Sequence, residues 1–480
     1  MNRRFVFYLL GLIFNATAAL MILPMIVSAL YTEQSFFGFF ITIGICLVIG
    51  IPMCLFCKTE DRVIYAKEGF IIVALAWIAM SAMGALPFVI SGEVPSYIDA
   101  FFETVSGFTT TGASILRNVE ELSHGLLFWR SFTHWVGGMG VLVFIMAIIP
   151  SSTDRSIHIL RAEVPGPIVG KLVPKMRETA KILYLIYIAL TVIETVFLLA
   201  GGMPLFDSIV HAFGTAGTGG FGIKADSIGS YSPYLQWVIT IFMLIFGVNF
   251  NLYYLILLKK FKSILKSEEL WVYIGIAVVS TVIIAINISS MYDGFADILR
   301  LSSFQVASVL TTTGYATADF NLWPELSKTI LLMLMFVGSC AGSTAGGFKI
   351  SRVILLFKMV QREIKLLLHP RSVSVVRFEG KKVEEPVLKS VSAYTAVYIA
   401  SFFVVFLLIS FDNFDILTNF SAAAACFNNI GPGLSAVGPA ANYADYSVFS
   451  KLVLSIAMLF GRLEIYPILF VLSPSAWSKK

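Results

Sequence analysis

The stretch FFETVSGFTTTGAS at residues 101–114 is the most informative part of the sequence, because three later stretches of the chain repeat its pattern. Each is a moderately apolar segment followed by a knot of glycine and small or β-branched residues. The other three read FDSIVHAFGTAGTGGFGI (206–223), FQVASVLTTTGYAT (304–317) and FSAAAACFNNIGPGLS (420–435). Such internal repetition indicates that one structural unit is used four times, from about residue 69 to the end of the chain.

The composition places these repeats in a membrane protein. The chain has 480 residues, of which 58% are apolar and only 13% charged, and its mean hydropathy is +0.85. An ordinary soluble domain carries about 25% charged residues. The surplus apolar surface must therefore face something other than water, which excludes a soluble enzyme, a disordered protein and a nucleic-acid binder. The predicted fold class is an all-α polytopic membrane protein.

The apolar stretches and the basic residues together predict a topology. A helix that crosses the hydrocarbon core needs about 20 apolar residues, and ten stretches meet this length. They lie at approximately 5–30, 35–57, 69–91, 125–149, 181–201, 232–258, 270–290, 327–358, 390–411 and 447–473. If both termini are cytoplasmic, 26 of the 34 Lys and Arg residues lie in cytoplasmic segments, which is the bias that orients membrane proteins.

In this topology every knot lies on the outer side, between a helix going out and a helix coming back. The predicted organisation is four helix–pore-loop–helix repeats around a central pore, plus two extra N-terminal helices. The divisions are an N-terminal extension at 1–68, then pore repeats at 69–150, 151–258, 259–358 and 359–480.

The repeated knot has the properties of a pore loop. About ten helical residues fit between Asp99 and Thr109, which is about 15 Å of helix and half the thickness of a hydrocarbon core of about 30 Å. Irregular backbone at that depth is tolerated only where it is buried in protein or lines a water-filled cavity. Four such loops around one axis would offer rings of carbonyl oxygens to a cation. The alternative interpretation is that these segments are flexible outer loops. This interpretation is less favourable because the pattern occurs four times, each time in the same topological position.

We align the loops on one glycine each, at 109–112, 216–219, 311–314 and 428–431. With these motifs the chain resembles, over essentially its whole length, the TrkH/KtrB/HKT superfamily of potassium transporters, and its extra helix pair is similar to the TrkH branch. The resemblance implies that loop carbonyls hold K⁺ and that Gly112, a serine in some sodium-preferring plant relatives, favours potassium. The implied filter residues are Thr110, Thr111, Gly112, Gly217, Thr218, Gly219, Thr312, Thr313, Gly314, Asn429, Ile430 and Gly431. The fourth loop departs most from the Thr-Thr-Thr-Gly pattern.

The eighth apolar stretch is too long for one span and is interrupted by GSCAGSTAGG at 338–347. It could be a helix-packing face, since Gly338, Gly342 and Gly346 form two overlapping GxxxG motifs. A phosphate loop is disfavoured, because Phe348 follows Gly347 where that motif needs lysine. The third interpretation is an unwound loop below the filter, and the resemblance implies that this loop is a gate.

Two cations accompany this loop. Arg462 falls in the middle of the last predicted span, where a charge normally faces protein or water and indicates function. The resemblance implies that it lies beside the gating loop and adds an electrostatic barrier. A structural ion pair, with Glu464 or with Glu194, is the alternative. Lys349 could be a second pore-facing cation, or its side chain could extend to the inner interface.

The predicted function is potassium uptake, with K⁺ and Rb⁺ preferred over Na⁺, through a channel-like pore. An alternating-access symporter coupled to H⁺ or Na⁺ is the alternative, since it too would use broken helices. No enzyme activity, cofactor or transition-metal site is expected. The resemblance further implies a homodimer in a bacterial inner membrane, regulated by a cytosolic TrkA-like ring that binds the nucleotide. The basic segments 150–181 and 352–389 are long enough to bind such a regulator.

Overall fold

The computed structural model describes residues 3–58, 66–140 and 176–477, which are mostly helical. Two parts of the predicted organisation lie outside these residues: the end of the span at 125–149, and most of the basic segment 150–181, including the boundary between the first two repeats. The described strands form one small antiparallel hairpin, in which β1 (Arg377–Phe378) pairs with β2 (Lys381–Lys382).

The helices follow the order expected for two N-terminal helices and four repeats. They are α1 (Arg3–Leu30), α2 (Ser35–Phe56), α3 (Ala66–Gly84), α4 (Leu86–Ile90), α5 (Tyr97–Phe108), α6 (His124–Gly138), α7 (Met176–Ala200), α8 (Leu205–Gly217), α9 (Pro233–Phe246), α10 (Phe250–Leu257), α11 (Phe261–Leu265), α12 (Glu268–Asn287), α13 (Phe295–Leu310), α14 (Glu325–Val337), α15 (Ile350–Leu368), α16 (Glu385–Ile409), α17 (Ile416–Phe427), α18 (Val448–Arg462) and α19 (Tyr466–Leu472).

Six helical spans of the described chain are long and apolar enough to cross a membrane, and α9 with α10 makes a seventh if the two are counted together. Their outward faces are apolar. On α2, for example, Phe37, Phe40 and Val48 are exposed, whereas Phe39 and Cys46 pack inside. Exposed apolar side chains on such helices suit contact with lipid.

Two of the ten predicted spans, besides the interrupted eighth, are not continuous helices. The stretch 232–258 is not one helix, since α9 and α10 meet at an angle of 91°. The last predicted span also breaks, between α18 and α19, where Glu464 and Ile465 take positive φ angles. Apolar composition alone does not distinguish a straight span from one broken at an internal cavity, because protein can satisfy irregular backbone there.

Four short helices, α5, α8, α13 and α17, occupy the predicted position of the pore helices. The N-termini of α5 and α17 are capped by side chains, with Ser96 accepting from the amide of Asp99 (3.4 Å) and Asp415 from that of Thr418 (3.0 Å). Their C-terminal halves are buried on all sides. In α17 this burial is accommodated by a run of four alanines at 422–425, which lets neighbouring backbones approach closely.

Candidate functional site: four loops around one axis

The four pore helices end in the same backbone motif. One or two residues after the end of each helix, a residue takes a left-handed conformation, with φ between 54° and 57°, at Thr110, Thr218, Thr312 and Asn429. In each loop the amide of this residue donates to the carbonyl three residues earlier, and the next amide donates to the carbonyl five residues before it. This is the hydrogen-bond pattern of a helix terminated by a left-handed residue. The left-handed conformation is uncommon for threonine, so its fourfold recurrence indicates a common constraint.

A glycine two residues further on closes the ring. Gly112, Gly220, Gly314 and Gly431 all have positive φ angles, and a Cβ on any of them would press against a carbonyl oxygen of the next loop. The contacts pair Gly112 with the oxygen of Gly219, Gly220 with that of Thr313, Gly314 with that of Ile430, and Gly431 with that of Thr111. The loops are thus arranged in chain order around one axis.

The space beyond the ring confirms this arrangement. A cavity of about 180 Å³, which we call the vestibule, is lined by Gly112, Gly220, Gly314 and Gly431 together with Arg117 and Lys224. Because one cavity touches the same glycine of all four loops, these loops form the floor of a single entrance.

In the second loop the structure differs from the predicted alignment by one residue. The counterpart of Gly112 is Gly220, and Gly219 instead corresponds to Thr111. The reason is the ring of His134, which fills the space that the side chain of residue 219 would need. Two successive glycines are therefore required here, and the pair Gly219-Gly220 was the signal that the alignment on a single glycine missed.

The fourth loop, which departs most in sequence, adopts the same geometry. The amide group of Asn429 donates to Thr111 Oγ1 and to the carbonyl of Met458, both at 2.9 Å. Asn428 accepts from the hydroxyl of Tyr398 (2.6 Å). Asparagine is one of the few residues that readily takes a left-handed conformation, so the Asn-Asn-Ile-Gly sequence serves as a fourth copy of the motif.

The glycine-rich interruption is an irregular loop from Gly338 to Lys349, between α14 and α15. The helix-packing interpretation of its GxxxG motifs is therefore wrong. The loop lies directly against the four-loop ring: the amide of Gly346 donates to Thr312 Oγ1 (2.7 Å), and a Cβ on Gly346 would contact the carbonyl of Asn428.

The break in the sixth predicted span supports this loop. The carbonyl of Gly247 accepts from the amide of Cys340 (3.2 Å), and the amide of Phe250 donates to the carbonyl of Gly342 (3.0 Å). Asn249 caps the new helix by accepting from the amide of Asn251 (3.0 Å). The helix α9 thus ends where it does because its freed backbone groups pair with the irregular loop.

A carboxylate holds the loop from the other side. The amide of Ala341 donates to Glu269 Oε1 (2.7 Å), whose side chain is buried near the start of α12. The backbone amide of Glu269 in turn donates to Glu379 Oε1 (3.1 Å) in the β1–β2 hairpin. Sequence reasoning missed this connection, because the carboxylate and the loop are 72 residues apart.

Arg462 lies at the end of α18, not in the middle of a continuous helix. Its guanidinium donates to the carbonyl of Thr344 (2.8 Å) in the irregular loop, to that of Gly138 (2.6 Å) in α6 and to Thr110 Oγ1 (3.3 Å) in the ring. Glu464, the predicted alternative partner, binds Arg352 (2.5 Å). Arg462 therefore joins the loop to the ring.

Lys349 closes the irregular loop. Its side chain is fully buried, and its ammonium group donates to the carbonyl of Ala345 within the same loop. It does not extend to the inner interface. The predicted residues of the gate, Gly338, Gly342, Gly346, Gly347, Lys349 and Arg462, are thus brought together in one structure beneath the ring.

The fold and site define a class: a multi-pass membrane protein in which four helix–loop–helix repeats surround one axis. Within that class, the family model for TrkH, described as a cation transport protein, matches residues 35–480. The chain belongs to this family, and it is therefore a transporter and not an enzyme.

Individual relatives extend over the whole chain. The chain is 37% identical to the Trk system potassium uptake protein TrkH of Salmonella typhimurium over 484 residues, covering 99% of this chain and 100% of the relative. It is 36% identical to TrkH of Escherichia coli K12 with the same coverage. The crystal structure of the potassium transporter TrkH from Vibrio parahaemolyticus matches with a TM-score of 0.89 at 34% identity, covering all of both chains. The predicted fold class is confirmed.

Proposed function

We propose that this chain takes up K⁺ through a selective, channel-like pore whose filter is the ring of loop carbonyls. The observation that carries the proposal is a set of carbonyl oxygens that accept no hydrogen bond from any described residue. They belong to Thr110, Thr111, Thr218, Gly219, Thr312, Thr313, Asn429 and Ile430. Buried carbonyls are nearly always paired, and a ring of unpaired ones can replace the hydration shell of K⁺.

The orientation of the pore helices supports a cation as the ligand. All four reach the ring with their C-terminal ends, at Phe108, Gly217, Leu310 and Phe427. The C-terminus of a helix carries a partial negative charge of about half an elementary charge. Four such ends around one point favour a cation there and disfavour an anion.

The relatives point to potassium. The two TrkH relatives described above are named as potassium uptake proteins, and the related crystal structure is that of a potassium transporter. Gly112, whose backbone conformation and close contact both require glycine, is the residue by which the chain resembles potassium-selective members. We therefore expect K⁺ and Rb⁺ to be preferred over Na⁺.

The irregular loop 338–349 is proposed as the gate. It lies against Thr312 and Asn428 of the ring and carries Arg462 on its Thr344 carbonyl. A loop and a cation immediately beneath the filter would obstruct a permeating ion by both volume and charge. Opening would require the loop to leave its contacts with Gly247, Glu269 and Arg462.

For the whole assembly we propose a homodimer in a bacterial inner membrane, with both termini cytoplasmic and a cytosolic TrkA-like nucleotide-binding ring as regulator. The name "Trk system" of the relatives fits a transporter with more than one component. On this chain, the exposed basic residues Arg371, Lys381 and Lys382 near the β1–β2 hairpin suit the cytoplasmic side and a regulatory contact. No cofactor is proposed for the chain itself.

The test is cation flux into liposomes that contain the purified protein, under K⁺, Rb⁺, Na⁺ and Li⁺ gradients. Gly112→Ser is compared with Gly92→Ser, a matched control whose φ angle is also positive but which has open space around it. We expect a preference for K⁺ and Rb⁺ that relaxes in Gly112→Ser and persists in Gly92→Ser. Equal Na⁺ flux in the wild type would overturn the filter assignment, and saturating flux that requires a co-ion would favour the symporter.

A further inference from the structure

A buried ion pair lies immediately behind the ring and has no part in the proposal above. Glu103 of α5 and Arg130 of α6 approach to 2.8 Å, with side-chain exposures of 0% and 3%. Removing one partner of such a pair is strongly destabilising, whereas replacing both is often tolerated. A buried pair is thus poor evidence of stabilisation, and the contacts it makes are the better guide to its role.

The carboxylate of Glu103 binds the irregular segment that follows the first loop. It accepts hydrogen bonds from Ser114 Oγ (2.9 Å) and from the amide of Ile115 (3.0 Å), two and three residues after Gly112. These contacts fix the position of Gly112 relative to its own pore helix.

The guanidinium of Arg130 contacts the corresponding irregular segment that follows the second loop. It donates to the carbonyl of Gly222 (3.3 Å) and lies 4.0 Å above the ring of Phe221. The two residues directly follow Gly220. The ion pair therefore bridges two loops that are neighbours in the ring, where Gly112 lies against the carbonyl of Gly219.

The other repeats show that holding a loop does not require a charge. The position of Glu103, seven residues before the left-handed residue, is occupied by His211, Gln305 and Ala422 in the other repeats. In the third repeat the neutral amide of Gln305 faces Thr317 and Ala318 of its own loop. A neutral group can thus make the local contact between a pore helix and its own loop. The charged pair of the first repeat makes this local contact and, in addition, a contact with the second repeat.

We propose that Glu103 and Arg130 are positioning residues that set the spacing between the first and second filter loops, and with it the discrimination between K⁺ and Na⁺. The inference rests on the proposed function, since it assigns the pair to the same filter. It does not place either side chain in contact with the permeating ion.

The test compares Glu103→Gln, Arg130→Gln and the double variant with Lys328→Gln in the liposome flux assay. Lys328 of α14 pairs with Glu325 over 2.6 Å, and this pair does not line the vestibule. We expect the ratio of Rb⁺ to Na⁺ flux to fall about tenfold in each single variant, because a buried charge is left unpaired beside the filter. The ratio should be unchanged in Lys328→Gln.

The double variant keeps the proposal decidable if either single variant fails to fold, because it leaves no unpaired buried charge. We expect it to fold and to show a lowered ratio, with a loss smaller than the product of the two single losses, since both substitutions break one bridge. A normal ratio in the double variant, at whatever total flux, would assign the pair to folding alone. A wild type without Rb⁺ preference would instead overturn the proposed filter itself.

Discussion

The backbone amide of Gly346 donates a hydrogen bond to the hydroxyl of Thr312 over 2.7 Å. Thr312 is the left-handed residue of the third filter loop, and Gly346 belongs to the irregular loop beneath it. This hydrogen bond connects the proposed gate directly to the proposed filter, in addition to the contacts made by Arg462. Loss of this hydrogen bond would favour the state in which the irregular loop has moved away from the ring.

Replacing Thr312 by valine tests this connection, because the side chain keeps its shape and loses the acceptor. A buried hydrogen bond contributes about 1 kcal/mol, and a shift of that size changes an opening equilibrium about fivefold. We expect Thr312→Val to raise K⁺ flux by about this factor.

Thr218→Val is the matched control for this substitution. Thr218 occupies the equivalent left-handed position, but its hydroxyl donates only to the carbonyl of Gly217 in its own loop. Flux in this variant should stay near the wild-type level. An equal rise in both variants would mean that the effect comes from the filter and not from the gate.

Arg462 allows a test of the electrostatic barrier. Its charge lies between the loop carbonyl of Thr344 and the Thr110 hydroxyl of the ring. Replacement by glutamine retains hydrogen-bond donors but removes the charge. At an effective dielectric constant of about 20, we expect the barrier to K⁺ permeation to fall by on the order of 1 kcal/mol. K⁺ flux should therefore increase severalfold. Patch-clamp recording or Rb⁺ uptake would measure it, with exposed Arg371→Gln as the control for charge alone.

How much of this site could be read from the sequence depends on whether its causes are local. The four loops were predictable because each is a short segment in which a glycine follows small, β-branched or asparagine residues. The fourth loop was recognisable despite its asparagines, since asparagine tolerates the left-handed conformation. The irregular loop was indicated by its glycines.

The rest arises from contacts between distant segments. The register of the second loop depends on the ring of His134, which lies 85 residues before Gly219 in the chain. The bend at Gly247 depends on backbone groups of Cys340 and Gly342. Neither contact produces a pattern in the local sequence. A straight apolar helix and one that is broken by contact with another segment have the same composition.

The register of the second loop is itself testable. At Gly220, φ is +75° and a Cβ would collide with the carbonyl of Thr313. We expect Gly220→Ala to abolish Rb⁺ selectivity or flux, since a backbone carbonyl cannot move aside cheaply and the left-handed conformation adds about 1 kcal/mol. Gly202→Ala is the control, because its φ angle is also left-handed, at +83°, but no atom lies within 4 Å of its Cβ position. Normal selectivity in Gly220→Ala would restore the alignment on Gly219.

Glu269 provides a test of how the proposed gate is held from the start of α12. Its carboxylate accepts the amide of Ala341, and its own amide is bound by Glu379 of the hairpin. Glu269→Ala leaves the loop amide without an acceptor, at a cost of about 1–3 kcal/mol, so we expect higher basal K⁺ flux. Glu269→Gln retains an acceptor oxygen and should remain close to wild type.

Glu379 of the β1–β2 hairpin allows a second test of the same connection. Glu379→Ala removes the acceptor for the amide of Glu269 and for Ser267 Oγ (3.0 Å) without touching the loop. If the hairpin steadies the gate through Glu269, flux rises in Glu379→Ala, and adding Glu269→Ala produces less than the product of the two separate increases. Independent, multiplicative effects in the liposome assay would show that the hairpin and the loop are not coupled through this carboxylate.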